Sequence, residues 1–281
     1  MLKLQNVHFS YKAESSTIDN VSLRVNEGEF LAIVGRNGSG KTTLTRLMMT
    51  LRKPTSGEIF FQDQDTKEYT PAKMAHHIGY VFQNPDRQIF HDTVFEEASY
   101  GPKQLGYSAE QIDTFVKEAL AVTGLSGRLE TAYPLSLSKG QKQRLTIASA
   151  LAMQPKMLIL DEPTSGQDAR ERDQLLQLLL KLNAQGMTIL LVTHDMEFLS
   201  SCAKRAIVMA KGQKVFDGTI SALFEDTCKL AAWGLIEPTA LKISRSLASL
   251  GIGVTSLIEE LGNDIAMLIR RDDHAKHSTH N

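Results

Sequence analysis

The run Gly35-Arg36-Asn37-Gly38-Ser39-Gly40-Lys41-Thr42 constrains this chain more than any other feature. It follows the apolar segment Phe30-Leu31-Ala32-Ile33-Val34 and precedes a helical pattern that continues to about Leu51, where Pro54 and Gly57 break it. Glycines at this spacing let successive backbone N–H groups turn inward around an anion, and the following helix aims its positive end at the same point. The run fits G-x-x-x-x-G-K-[ST] in the strand–loop–helix context that gives this motif its meaning. Lys41 can reach the β- and γ-phosphates of a nucleotide as a compact charge, and the Thr42 hydroxyl can ligate Mg²⁺.

The rest of the chain reads as the sheet such a loop needs. Residues 2–9 and 20–34 read as strands, as do Ile78–Phe82, Met157–Leu160 and Thr188–Val192. A Leu-rich helix is expected over 170–184, and residues 93–153 are mostly helical by periodicity, with a helix start at Ser108-Ala109-Glu110-Gln111. Short, continuous apolar strands separated by helices predict a parallel sheet covered on both faces. After Gly218 the alternation stops, and the region from about 226 reads as an appended unit. Its expected elements are helices over Pro238–Leu250 and Thr255–Leu261 and a strand over Asp264–Arg271, followed by a polar, disordered tail.

Composition narrows the partners. With 31 Lys and Arg against 32 Asp and Glu, the net charge of −1 argues against a nucleic-acid binder that relies on a basic surface. The only cysteines, Cys202 and Cys228, make a disulfide framework implausible and suit a reducing compartment. The N-terminus alternates polar and apolar residues and lacks the pattern of a secretory signal, and no apolar run nears the roughly 18–20 residues that cross a bilayer. The expectation is a soluble cytoplasmic chain.

A second set of residues belongs with the loop. Met157-Leu158-Ile159-Leu160-Asp161-Glu162 puts two carboxylates at the carboxyl end of an apolar strand, where open parallel sheets bind ligands. Asp161 can hold Mg²⁺ through a water, and Glu162 can take a proton from an attacking water. Gln83 follows the strand ending at Phe82, within reach of the metal or the water. His194 follows the strand Thr188–Val192 and can face the γ-phosphate. His274, His277 and His280 share i, i+3, i+6 spacing but read better as incidental tail residues than as metal ligands.

One more stretch brings these residues into order. Leu135-Ser136-Leu137-Ser138-Lys139-Gly140-Gln141 resembles the LSGGQ signature of ABC ATPases, upstream of the Asp161/Glu162 strand as in that family. The resemblance implies that Tyr11 stacks on adenine. It also implies that Gly35, Asn37, Gly38, Ser39, Gly40, Lys41, Thr42 and Thr43 bind the nucleotide, and that Thr42, Gln83 and Asp161 serve the metal. Glu162 matches the catalytic base, His194 the switch histidine, Gln83 the Q-loop, and Ser165-Gly166-Gln167-Asp168 the D-loop. Ser138, Lys139, Gly140 and Gln141 would act on ATP held by a second subunit. Lys139 stands in place of a glycine, and Gln167 in place of the usual D-loop leucine. The lysine is compatible with a helical backbone, or could make the composite site slower or asymmetric.

Gln83-Asn84-Pro85-Asp86-Arg87-Gln88, Thr93-Val94-Phe95-Glu96-Glu97 and Tyr100-Gly101-Pro102-Lys103 are similar to stretches of energy-coupling-factor ATPases, which drive uptake of vitamins and of cobalt or nickel ions. The implied fold is α/β: a P-loop NTPase parallel-sheet core with an antiparallel β subdomain, a helical signature subdomain over about 84–154, and a small C-terminal α/β extension. The implied organisation is an ABC ATP-binding domain over 1–225, a dimerisation extension over 226–271, and a tail over 272–281. The implied activity is ATP hydrolysis with Mg²⁺ at the cytoplasmic face of a membrane. The partners would be a second ATPase subunit, identical or paralogous, a transmembrane coupling subunit and a substrate-binding membrane subunit. A soluble ABC ATPase or a regulatory nucleotide-binding partner is the alternative.

Overall fold

The computed structural model describes residues 1–12, 15–250, 252–258 and 260–267. The chain opens with β1 (Leu2–Lys12) and β2 (Ser15–Val25), an antiparallel pair, and continues to β3 (Phe30–Val34), the phosphate-loop segment and α1 (Lys41–Met48). β4 (Ser56–Phe61) and the short β5 (Gln64–Asp65) complete a four-stranded antiparallel sheet of order β2-β1-β4-β5. Then come α2 (Pro71–Ala75), β6 (Ile78–Val81), α3 (Val94–Gln104), α4 (Ala109–Val122) and α5 (Lys139–Leu151). β7 (Met157–Asp161), α6 (Ala169–Ala184), β8 (Thr188–Thr193) and α7 (Met196–Cys202) follow. β9 (Arg205–Ala210) and β10 (Gln213–Thr219) close a six-stranded sheet of order β10-β9-β3-β8-β7-β6, parallel except for β10.

Both faces of this sheet are covered, as the unbroken apolar strands predict. Along β3, Leu31 and Ile33 enter one buried cluster while Phe30, Ala32 and Val34 enter the other. β7 divides in the same way, Met157 and Ile159 against Leu158 and Leu160. One cluster is closed by Leu44, Leu47 and Met48 of α1 and by the antiparallel sheet through Leu4, Val21 and Phe61. The other is closed by α3 to α7, including Leu145 of α5 and Leu175 and Leu179 of α6. Each such side chain contributes about 1.5–3 kcal/mol on burial, so the strand ends that carry the site stand on two cores rather than one.

Three local expectations change. The strand read over 20–34 is two strands, because Asn26-Glu27-Gly28 turns the chain. Glu29 caps that turn by accepting from Asn26 N at 2.8 Å, and Gly28 takes φ +70°. The hairpin β9–β10 escaped the sequence reading, although the run Ala206–Met209 and the Lys211-Gly212 turn mark it. Past α8 (Ile220–Glu225), α9 (Thr227–Ala232) and α10 (Thr239–Leu247), residues 260–267 are helical. The strand expected over Asp264–Arg271 is therefore helix through 267, and 268–271 lie outside the described residues, as do the tail histidines. Leu261 turns inward from this segment to meet Ala240 and Ile252 in a small separate core, a contact that one face of a helix supplies. Among the described residues the extension is helix and turn, not α/β.

Candidate active site

The phosphate loop is built from backbone constraints. Gly40 caps α1 in the left-handed region at φ +105°, and a Cβ there would sit 2.8 Å from Ile18 Cδ1 and 3.0 Å from the Thr17 carbonyl. No side chain caps this helix, and its first turn holds no acid. Its leading N–H groups and positive end are thus left for an anion. The ammonium of Lys41 donates to the carbonyls of Gly35 at 2.7 Å and Arg36 at 3.2 Å, spanning the loop. Burial pulls this lysine below its usual range, opposed by the nearby Glu162 and Asp161 charges. The Ser39 hydroxyl is buried with no hydrogen-bond partner among the described residues. An orphaned donor beside a buried ammonium and an uncapped helix fits a phosphate group.

β7 delivers the carboxylates. Asp161 is buried, and its Oδ2 accepts from the Thr42 hydroxyl at 3.0 Å and the Tyr80 hydroxyl at 3.2 Å, while Oδ1 meets only Thr42 at 3.3 Å. Burial pushes its carboxyl above the ordinary carboxylate range, against the two hydroxyl hydrogen bonds. No Lys or Arg pairs with it among the described residues. A buried carboxylate short of a cation, with acceptor capacity on Oδ1 and a hydroxyl alongside, is a donor set that fits hydrated Mg²⁺. Thr42 and Asp161 are the residues that would hold it.

At Glu162 the chain leaves β7 with φ +51° and its N–H donates to the Val192 carbonyl at 2.8 Å. A glutamate in this region costs on the order of 1–3 kcal/mol, strain that is characteristic of functional sites. The result is a carboxylate at 6% exposure whose Oε2 lies 2.7 Å from His194 Nδ1. That contact lacks hydrogen-bond alignment, since Oε2 has no aligned donor. The imidazole is 62% exposed, and the Arg172–Asp195 ion pair at 2.6 Å anchors the adjoining turn to α6.

The remaining expected residues fall around this centre at different distances. Tyr11 is half-exposed, packs edge-on against Phe9, and its hydroxyl lies 3.5 Å from Thr43 Oγ1, which sets the ring beside the start of α1. Asn37 and Gly38 are exposed on the loop rim. Gln83 is exposed just past β6, and no hydrogen bond joins it to Thr42 or Asp161 among the described residues.

The turn at Ser138 stands apart. Ser138 and Gln141 form a reciprocal capping box on α5, with Ser138 N donating to Gln141 Oε1 at 2.9 Å and Gln141 N to Ser138 Oγ at 3.1 Å. Sequence reasoning missed Glu171, whose Oε1 accepts from Ser138 Oγ at 3.1 Å and Gly140 N at 3.0 Å. The Lys139 side chain folds across Gly166, where a Cβ would collide with its Nζ. Asp168 caps α6 by accepting from Glu171 N at 2.8 Å. The ion pair of Lys142 with Asp86 at 2.8 Å ties α5 to the loop after Gln83. In the sequence Glu171 shows only as an acid in the first turn of a helix, which reads as capping.

The chain is similar to known proteins along most of its length. The profile of the family described as ABC transporter matches residues 18–165. A Streptococcus pyogenes protein described as an energy-coupling factor transporter ATP-binding protein is 36% identical over 271 residues, covering 92% of this chain and 97% of the relative. A Clostridium perfringens structure, described as part of an ABC transporter complex, superposes with a TM-score of 0.74 at 32% identity, covering 82% of this chain and 93% of that one. An ATP-binding cassette solved as a dimer in a post-hydrolysis state, bound to ADP and phosphate, gives a TM-score of 0.70 at 32% identity, covering 78% of this chain and 99% of the cassette. Three further relatives are longer, and the chain spans 41% to 45% of their length.

Proposed function

This chain belongs to the ABC transporter family, and from that premise we propose that it binds and hydrolyses ATP as the energy-coupling subunit of a membrane importer of the energy-coupling-factor type. The observation that carries the reading is the meeting of Glu162, strained and buried at the end of β7, with His194 at the end of β8, next to the Thr42–Asp161 pair.

The chemistry follows from the residues. The uncapped N-terminus of α1, Lys41 and the Ser39 hydroxyl take the phosphates, with Lys41 exchanging the Gly35 and Arg36 carbonyls for phosphate oxygens. Thr42 and Asp161 would hold Mg²⁺, which would neutralise phosphate charge when bound. Glu162 Oε2 receives the proton of the attacking water as its oxygen bonds to the γ-phosphorus and the bond to the ADP oxygen breaks. His194 positions that carboxylate and the γ-phosphate, Tyr11 faces the adenine base, and Gln83 closes toward the site. The phosphates of one subunit would meet Ser138, Lys139, Gly140 and Gln141 of the other, so that ATP joins a dimer and hydrolysis releases it.

An assembly with membrane subunits draws support from a groove of about 630 Å³ beside the Gln83–Gln88 loop, lined by His76, Tyr80, Gln88, Phe90, Tyr100 and Met153. Phe90 is 64% exposed and stacks edge-on with Tyr100, an apolar patch suited to a coupling helix of a transmembrane subunit. No helix among the described residues is long and apolar enough to cross a membrane. The likeness to an energy-coupling factor transporter ATP-binding protein supports a peripheral position on the cytoplasmic face. Residues 226–271 would hold two such subunits together, and the cargo would be a vitamin or transition-metal ion chosen by a membrane-embedded binding subunit. Glu162→Gln tests the mechanism: ATP still binds and traps a closed dimer, while turnover falls by roughly 10²–10⁴-fold. Full ATPase activity in that variant would overturn it.

A further inference from the structure

The buried hydroxyl of Tyr80 has no part in the chemistry above, yet it is placed against it. Tyr80 stands on β6, in register with Ile159 of β7, and is 8% exposed. Its hydroxyl lies 3.2 Å from Asp161 Oδ2 and 3.0 Å from the hydroxyl of Thr45, a fully buried residue of α1. Thr45 also lies 3.0 Å from the Thr42 carbonyl. Three short contacts thus share two hydroxyl protons. When Thr45 donates to the Tyr80 oxygen, the Tyr80 proton is left for the carboxylate. When Thr45 donates to the Thr42 carbonyl, its oxygen competes for that proton, and the carboxylate is the stronger acceptor.

We propose that Tyr80 is a positioning residue that fixes the rotamer of Asp161 for the metal, and does so from the floor of the proposed docking groove. Asp161 is the last residue of its strand, so its side chain is held by whatever grips its oxygens. Thr42 reaches both oxygens, at 3.0 and 3.3 Å, and cannot by itself choose between them. Tyr80 reaches Oδ2 alone, which locks that oxygen against the protein and leaves Oδ1 turned to the metal's hydration shell. The ring of the same side chain lines the groove beside Phe90 and Tyr100. One residue thus joins the groove surface to the metal-holding carboxylate through a single hydroxyl.

This inference rests on the Mg²⁺-nucleotide reading, and the test separates the two. The probe is ATP with Mg²⁺ or with EDTA, and the readout is thermal stabilisation of the full chain in the Glu162→Gln background. Tyr80→Phe keeps the ring and the groove floor and removes only the hydroxyl. It should raise the Mg²⁺ concentration for half-maximal stabilisation by roughly 10-fold, with the ATP–EDTA arm unchanged. Thr45→Val, which frees the Tyr80 oxygen to rotate, should shift the same midpoint in the same direction by less. Equal shifts in both arms, or no shift in the Mg²⁺ midpoint, would reduce Tyr80 to a packing residue and overturn the inference. Absence of any Mg²⁺-dependent stabilisation by ATP in the parent protein would overturn the nucleotide reading, and this inference with it.

Discussion

Two helix N-termini in this molecule look alike in sequence and differ in what they have left over. Before α1 the chain runs Gly-Ser-Gly-Lys, and before α5 it runs Leu-Ser-Lys-Gly-Gln. The first is capped by a glycine in a left-handed conformation, with no side chain on its N–H groups, an orphaned Ser39 hydroxyl and an ammonium resting on carbonyls. The second has its donors met from within, by Ser138, by Gln141 and by the carboxylate of Glu171. Both are anion sites by geometry. One keeps donors without a partner among the described residues, and the other already holds the chain's own carboxylate. A phosphate at the first would meet unpaired donors, whereas a phosphate at the second would have to displace Glu171. That difference suits a loop that binds first and a signature that engages later, from a partner.

The contrast can be broken most sharply at Lys41. Lys41→Ala removes the buried ammonium that spans the loop and should weaken ATP binding by roughly 100-fold, about 3 kcal/mol for a charge-assisted contact. The fold should survive, as circular dichroism together with nucleotide titration would check. A change of less than about threefold would mean that the loop does not bind phosphate through this residue.

Asp161 sharpens the contrast, because its burial carries a cost. Its folded-state pKa is raised by burial, so the folded chain keeps the proton longer than the unfolded chain does. Ligand-free stability must then fall as pH climbs from the ordinary carboxylate range through the raised value, and the cost is fully present above both. Asp161→Asn should remove that fall and raise the ligand-free melting temperature at neutral pH on the order of a few degrees. The same change should abolish the extra stabilisation by Mg²⁺ with ATP. Melting curves at pH 4 to 8 with and without ligand would show whether the slope belongs to Asp161.

The smallest effect is expected at the satisfied site. Glu171→Gln keeps the shape of the side chain but removes its charge, so its grip on Ser138 and Gly140 loosens. Nucleotide-driven pairing of two chains should tighten about two- to five-fold, the scale of one anion at a helix N-terminus, as read by sedimentation in the Glu162→Gln background. Weaker pairing would mean that Glu171 supports the turn rather than competing for it.

Much of the site was legible in the sequence because its parts are local. The phosphate loop is a contiguous run whose glycines and lysine state their own geometry, and Asp161 and Glu162 announce themselves at the end of an apolar strand. The two-faced sheet was legible for a similar reason, since β3 is wholly apolar and β7 and β8 carry polar residues only at their ends, Asp161, Thr188 and Thr193, so no alternation marks a wet face. The hairpin β9–β10 was missed because the solvent-facing alternation of Gln213–Thr219 carries little apolar signal. The expected strand at the C-terminal end fell to helix because Leu261 and Ile265, four positions apart, face the same small core with Ala240 and Ile252.

What the sequence determined alone is the chemistry available: a phosphate loop, paired carboxylates and a signature turn, each encoded in neighbours along the chain. What only the tertiary structure decided is which of these groups arrive already satisfied. Tyr80 meets Asp161 across 81 positions, and Glu171 meets Gly140 across 31. Neither meeting has a local signal, because a hydrogen bond between distant residues depends on how strands and helices pack, and that packing is set by the burial of side chains elsewhere.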